Sequence, residues 1–247
     1  MRAPRKDSES GIYHAISKGT GGQIIFEDDE DRETFLALLK AGLQRTSGTL
    51  LAWCLMDNHV HLLLSMSKDN LSNCMRRVLS AYAQGFNRKH RRSGYLFQDR
   101  FMSEPVEDDE YLLTAIRYIH QNPVKAEMTQ TCEYRWSSYG EYCGTPWISS
   151  TDMVMDLFDG LEQFVSFHLI YDESDEILDV MNPRRRMTDG EALELALDLI
   201  GNSGLGAIKA LPRDERDVLL RKLKGHGCTV RQIQRLTGVS LGSISKA

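Results

Sequence analysis

The chain of 247 residues contains no Cys-x-x-Cys pair, and its five cysteines, at positions 54, 74, 132, 143 and 228, are odd in number. That argues against a disulfide frame and a thiolate zinc site, and for reduced thiols in a cytoplasm. No apolar run approaches the roughly 20 residues of a membrane span. The N-terminal MRAPRKDSESG lacks the apolar core of a signal peptide. A cytoplasmic protein without membrane association is therefore expected. There is no internal repeat and no low-complexity tract. Residues 151–183 have no lysine or arginine against 9 acidic residues, a composition poorly suited to touching a polyanion.

The charge that is present is unevenly placed. The net charge is −5, but residues 1–150 hold 18 Lys/Arg and 19 Asp/Glu, while residues 184–247 hold 12 and 7. An acidic middle thus masks a basic C-terminal part. Residues 76–100 carry Arg76, Arg77, Arg88, Lys89, Arg91, Arg92 and Arg100 against Asp99 alone, interleaved with Tyr82, Phe86, Tyr95 and Phe97. Charge with stacking surfaces suits single-stranded or hairpin DNA, and a solvated helix face has the same composition.

Apolar periodicity predicts a strand over 11–18, a helix after the acidic EDDED ended by Ser47-Gly48, and strands over 49–56 and 59–66 around an Asp57-Asn58 turn. A long helix is expected over 71–89, then a short strand in FMSEPVE. A last helix in DDEYLLTAIRYIHQNPV has Asp108, Asp109 and Glu110 at its start and Pro123 at its end. That order suggests an α+β sandwich, with an antiparallel sheet and helices on one side. The expected domains are 1–150, an acidic helical connector 151–183, and a helical module 184–247.

In MDNHVHLLL, His59 and His61 are two apart, so a strand projects both to one face and Val60 and Leu62 to the other. Two neutral imidazoles so placed can hold a divalent cation, and they also describe core histidines satisfied by hydrogen bonds. In YIHQNPV, Tyr118 and Asn122 are four apart and share a helix face. A tyrosine hydroxyl can attack phosphorus when a cation polarises the phosphate, and an amide oxygen can complete that cation's ligands. Leu112, Ala115 and Ile119 make an apolar stripe that equally suits a core tyrosine. His120 points to another helix face and reads as structural. Tyr139 has no metal ligands around it and reads as packing. Cys132 and Cys143 near His120 fit no zinc spacing.

The ordered segments YHAISKG, WCLMDNHVHLLL, GYLFQDRF, YLLTAIRYIHQNPVKA and YRWSSY, over residues 11–142, resemble the single-tyrosine HUH transposases (IS200-like), and among them the REP-associated tyrosine transposases. The resemblance implies a ferredoxin-like or RRM-like fold and nicking and rejoining of single-stranded DNA at hairpin or palindromic elements. It implies Tyr118 as nucleophile leaving a 5′-phosphotyrosine link, and His59, His61 and Asn122 as ligands of Mg²⁺ or Mn²⁺. The protein would act as a monomer or homodimer. Asp57 departs from the family, whose members usually have proline there. A catalytically silent DNA-binding regulator and a water-using metal hydrolase are the competing classes.

The C-terminal TVRQIQRLTGVSLGSISKA resembles a helix-turn-helix. Val230, Ile233 and Leu236 would face inward, Gly238 would turn the chain, and Ser240 would start a second helix. Arg231 and Arg235 would then meet phosphates, and Ser243 and Lys246 would reach bases or phosphates of a duplex. A plain helical bundle is the other reading. Many relatives stop soon after the catalytic domain.

Overall fold

The computed structural model describes residues 5–129, 132–170, 193, 195–197, 208–209, 211–225, 228, 230–240 and 243–244. The chain forms two compact units, Met1–Val180 and Met181–Ala247. No helix among the described residues is long and apolar enough to cross a membrane.

The first unit is built on strands β1 (Ile12–Lys18), β2 (Thr49–Met56), β3 (His59–Ser65) and β4 (Met102–Val106), all antiparallel in the order β2-β3-β1-β4. Helices α1 (Asp29–Thr46) and α2 (Lys68–Lys89) cover one face and α3 (Asp109–Lys125) the other. The sheet is therefore covered on both sides rather than one, because its strands are apolar on both faces: Val60, Leu62 and Leu64 enter the α1/α2 core while Leu63 enters the α3 core. The fold class is α+β, as the element order implies.

Local signals place the helices. The Asp28 carboxylate accepts the Asp31 N–H at 2.9 Å and that of Asp108 accepts the Tyr111 N–H at 2.7 Å, so each acid caps its helix. Ser47, at φ 50, ends α1. A Cβ on Gly42 would stand 2.9 Å from Val78 Cγ2 and 3.0 Å from Cys74 Sγ, so glycine sets how closely α1 meets α2. Pro123 does not end α3, which continues to Lys125. Proline removes only its own N–H, and the next turn still closes, with the Ala126 N–H on the Asn122 carbonyl at 3.0 Å.

The outer edge of β2 is closed by the segment after α3. Ser138 donates its N–H to the Trp53 carbonyl at 2.9 Å and accepts the Trp53 N–H on Oγ at 2.9 Å; the Leu55 N–H reaches the Trp136 carbonyl at 2.8 Å. An edge strand is thereby protected from pairing with another chain. Buried Glu141, in α4 (Tyr139–Cys143), accepts the Trp53 indole N–H at 2.8 Å and the backbone N–H groups of Trp147, Ile148 and Ser149 at 2.8–2.9 Å.

Helices α5 (Asp152–Met155) and α6 (Leu161–Leu169) belong to this unit, so the chain from 152 to 169 is part of the core rather than a solvated connector. Val154 and Phe164 are fully buried with α3, and Phe164 stacks on Tyr142 at 5.0 Å and 7°. The acidic groups lie on the outer side of these helices, which is what composition alone registers. Residues 171–183 lie outside the described residues.

His168 of α6 donates from Nδ1 to the Phe164 carbonyl at 2.8 Å, so its Nε2 accepts from His120 Nδ1 at 2.9 Å, and His120 Nε2 accepts from the Ser138 hydroxyl at 2.8 Å. Burial, with Arg117 adding to it, pushes the His168 pKa down to about 4. The unfolded chain takes up this proton near pH 6.5, which the folded chain refuses until about pH 4. Stability is then full above pH 6.5 and falls as pH drops toward 4, by about 3 kcal/mol for this group alone. Urea-unfolding midpoints at pH 7 and pH 4.5 check this, and equal midpoints would refute it.

In the second unit the helices Arg213–Gly225 and Val230–Thr237 share a core of Leu220, Leu223, Cys228, Ile233, Val239 and Ile244, with Leu236 packed beside it. Gly238, at φ +68, turns the chain with its N–H on the Gln234 carbonyl at 2.8 Å. The Ser240 hydroxyl then accepts the Ser243 N–H at 3.3 Å. Lys246 and the side chains of Val230 and Arg231 lie outside the described residues.

Candidate active site

Strand alternation places His59 and His61 on the α3 face of the sheet, both buried, with ring centroids 4.9 Å apart and planes at 82°. His59 donates from Nδ1 to the Asn58 amide oxygen at 2.7 Å, which fixes the tautomer carrying its lone pair on Nε2. His61 Nδ1 lies 3.0 Å from His14 Nε2. No partner among the described residues meets strict hydrogen-bond geometry at the buried His61 Nε2, although the Asn122 side chain lies close enough to interact with the ring. Burial, and then the neighbouring His59 and His14, hold the His61 pKa well below the ordinary histidine value, so the ring is neutral.

α3 brings the other candidates to the same place. The Tyr118 ring is 5.6 Å from that of His61 and 6.1 Å from that of His14, edge-on to both, and only 3% of the residue is exposed. Asn122 donates from Nδ2 to the Tyr118 carbonyl at 2.9 Å, and its side chain interacts with His61. With Nδ2 committed to its own helix, Oδ1 is the end left to face the imidazoles. Two neutral rings and an amide oxygen make a donor set that fits a divalent cation, and the buried His61 Nε2, with no partner in strict hydrogen-bond geometry, is what such an ion would satisfy.

His14 and Lys125 complete the cluster, and the sequence reading passed over both. Register pairs His14 with Leu63 and Ile16 with His61, so His14 stands two residues along from His61 on the same face. The alternation of GIYHAISK carried that signal; the pairing register did not show. Lys125 Nζ lies 4.5 Å from the Tyr118 ring centroid. Seven residues on, it shares the helix face of Tyr118, which is visible only if the helix is allowed past Pro123. Asp57 points away from this chemistry, with its carboxylate 2.5 Å from Arg32 and its carbonyl accepting the N–H groups of Ile25 and Phe26.

The basic residues of 76–100 are not brought to the histidines, since α2 covers the opposite face of the sheet. Arg76, Arg77, Arg88, Arg91 and Arg100 are exposed. Lys89 is held by Asp28, Glu30 and Asp31 at 2.7–3.0 Å, and Arg92 by Gln23. Tyr82 and Phe86 are core residues rather than stacking surfaces; Tyr95 is exposed and Phe97 half-buried. In the second unit Arg235 is exposed and Ser243 half-buried. Asp28, Asp31 and His90 also converge within 4.8 Å, but the Lys89 ammonium already supplies their counter-charge.

Residues 9–122, which contain His14, His59, His61, Tyr118 and Asn122, match the family model "Transposase IS200 like". This stretch belongs to the IS200-like transposase family. Membership implies a DNA-cleaving enzyme. The chain also shares its fold with a solved REP-associated tyrosine transposase bound to a REP hairpin, at a TM-score of 0.51 and 14% identity, over 64% of this chain and 95% of that one. A transposase candidate from Deinococcus radiodurans R1 aligns at 17% identity and a TM-score of 0.33, over 53% and 94%. No curated protein matches the chain.

Proposed function

We propose that the transposase nicks and rejoins single-stranded DNA at hairpin-forming palindromes through a covalent link to Tyr118. The observation that carries this reading is the convergence of Tyr118 and Asn122, from one turn of α3, on the His59–His61 pair of β3. His59, His61 and Asn122 would hold Mg²⁺ or Mn²⁺. When bound, such an ion polarises the phosphate and offsets charge on the departing oxygen.

The Tyr118 oxygen attacks phosphorus and loses its proton, the P–O3′ bond breaks, and the 3′ oxygen leaves as a hydroxyl. The 5′ phosphate stays on the tyrosine. A 3′-hydroxyl from another end reverses the step and joins the strands. Hairpin DNA is proposed because a protein of the same fold was captured on a REP hairpin. The exposed Arg76, Arg77, Arg88, Arg91 and Arg100 are proposed to follow its phosphates, with Lys89 and Arg92 in supporting roles. The complete nucleophile and ligand set speaks against a silent regulator. Incubation with hairpin-bearing single-stranded DNA and Mn²⁺ should give a protein–DNA adduct on a denaturing gel, and its absence would overturn the reading.

The second unit is proposed to bind duplex DNA in helix-turn-helix fashion, with Arg231, Arg235 and Ser243 toward it. A chain ending at Val180 should nick short single strands as the full chain does. It should bind duplex-flanked substrates more weakly and with a shallower salt dependence, because fewer phosphate contacts release fewer counterions. Equal affinity and salt slope for the two chains would assign this unit another role.

A further inference from the structure

We infer that the cleft between α2 and residues 94–101 binds unpaired nucleotides, with Tyr95 as the residue on which a base stacks. The identity of the strand, single-stranded DNA flanking a hairpin, rests on the reading above. The cleft deepens that reading by giving the unpaired part its own place.

The cleft has a volume of about 1020 Å³, at the top of the range that holds small organic ligands. Along α2, Asn73, Arg76, Ser80, Gln84 and Asn87 recur at steps of three and four, so they form one stripe, and that stripe lines the cleft. The opposite stripe, with Val78, Tyr82 and Phe86, enters the core. A polar stripe ordinarily faces open water; here residues 94–101 stand across from it. The Asn73 amide oxygen accepts from Arg76 at 3.1 Å and from Arg77 at 2.9 Å, which holds two guanidinium groups side by side. Ser80 and Gln84 are exposed and offer both donors and acceptors, as a base edge requires.

The facing wall carries Tyr95, which is 90% exposed. Its backbone is nonetheless fixed. The Tyr95 carbonyl accepts from the Thr20 hydroxyl at 3.2 Å and the Gln23 amide at 3.1 Å, and the next residue, Leu96, is buried in the core. Asn87 ties the two walls together, with its amide on the Gly94 carbonyl at 2.9 Å. An ordered chain thus presents the ring to solvent, and stacking a base on it costs little further ordering. Charge suits the same ligand: Arg5, Arg76 and Arg100 line the cleft against Asp69 and Asp99. Guanidinium groups meet phosphates and the ring meets a base. In a duplex the base faces are already stacked, so only unpaired nucleotides can use Tyr95.

The cleft is reached from the histidines over one margin of the sheet. Lys18 of β1 pairs with His59, the Lys18 carbonyl accepts the Gln98 N–H at 2.8 Å, and Gly19 bridges to Phe97. Two strand spacings, about 10 Å, therefore separate the His59 backbone from residues 97–98, which belong to the far wall. A strand held at Tyr118 passes that margin to reach Tyr95.

Fluorescence anisotropy in excess chelator, where binding is read without cleavage, tests the inference on two labelled DNAs: a blunt hairpin, and the same hairpin with short unpaired thymidine flanks. Wild type should favour the flanked DNA. Tyr95→Ala, at an exposed position where the fold does not depend on the ring, should weaken the flanked DNA by about 5- to 150-fold and leave the blunt one unchanged. Tyr95→Phe keeps the ring and should bind as wild type does. Abasic residues in place of the flank thymidines should cost wild type a similar factor and Tyr95→Ala almost nothing, because ring and base are partners. Wild type that binds the two DNAs equally, or binds neither, overturns the inference. So does Tyr95→Ala with wild-type affinity, Tyr95→Phe as weak as Tyr95→Ala, or an abasic loss as large in Tyr95→Ala as in wild type. The nicking reading is judged separately by the Mn²⁺ adduct: wild type that favours the flanked DNA yet forms no adduct overturns that reading and leaves the cleft assigned.

Discussion

Phenylalanine in place of Tyr118 should abolish the covalent adduct while leaving DNA affinity nearly unchanged. The substitution removes one oxygen and keeps the ring that packs edge-on to His14 and His61 and under Lys125. Fold and site shape are therefore preserved, and the loss falls on chemistry, on the order of 10⁴- to 10⁶-fold as for other deleted nucleophiles. The measurement pairs a denaturing gel of labelled hairpin DNA with an equilibrium binding assay. Adduct formation at the wild-type rate would move the nucleophile elsewhere. Tyr139 is a poor substitute, since it packs on His120 and Phe164 whereas Tyr118 packs on His61.

Alanine at His59 or at His61 should each reduce cleavage by roughly 10³-fold or more, the several kcal/mol expected of a lost phosphate activator. Excess chelator should do the same to the wild type. Because both rings would serve one ion, the double variant should be little worse than either single one, a non-additivity that two independent roles would not give. Asn122→Ala should be milder in binding Mn²⁺, since one neutral oxygen is lost and both nitrogens stay. Cleavage that survives chelation would remove the metal from the mechanism.

Much of this site was legible because it is written in short periods. His59 and His61 share a face by the two-residue repeat of a strand, and Tyr118 and Asn122 by the four-residue repeat of a helix. What escaped depends on relations between distant segments. His14 joins the site only through the register of β1 against β3. The second helical layer was missed because acidic surface groups in 152–169 hide the inward Val154, Phe164 and His168. Tyr82 and Phe86 looked like stacking surfaces because their spacing among arginines is that of any amphipathic helix; packing against Ile25, Phe26 and Phe35 settles them as core.

From Ala115 to Pro123 every residue of α3 is buried, so this stretch has no outward stripe on which sequence can drift. Tyr118 and Asn122 serve the reaction, His120 and Gln121 hold α6, Arg117 lies on the Phe167 ring, and Ile116 and Ile119 fill the core. Most surface helices tolerate change every third or fourth position. Here mutational tolerance would lose that rhythm over nine consecutive residues, and a lineage could abandon the chemistry of Tyr118 only while still maintaining nearly all of its neighbours for the sake of the fold.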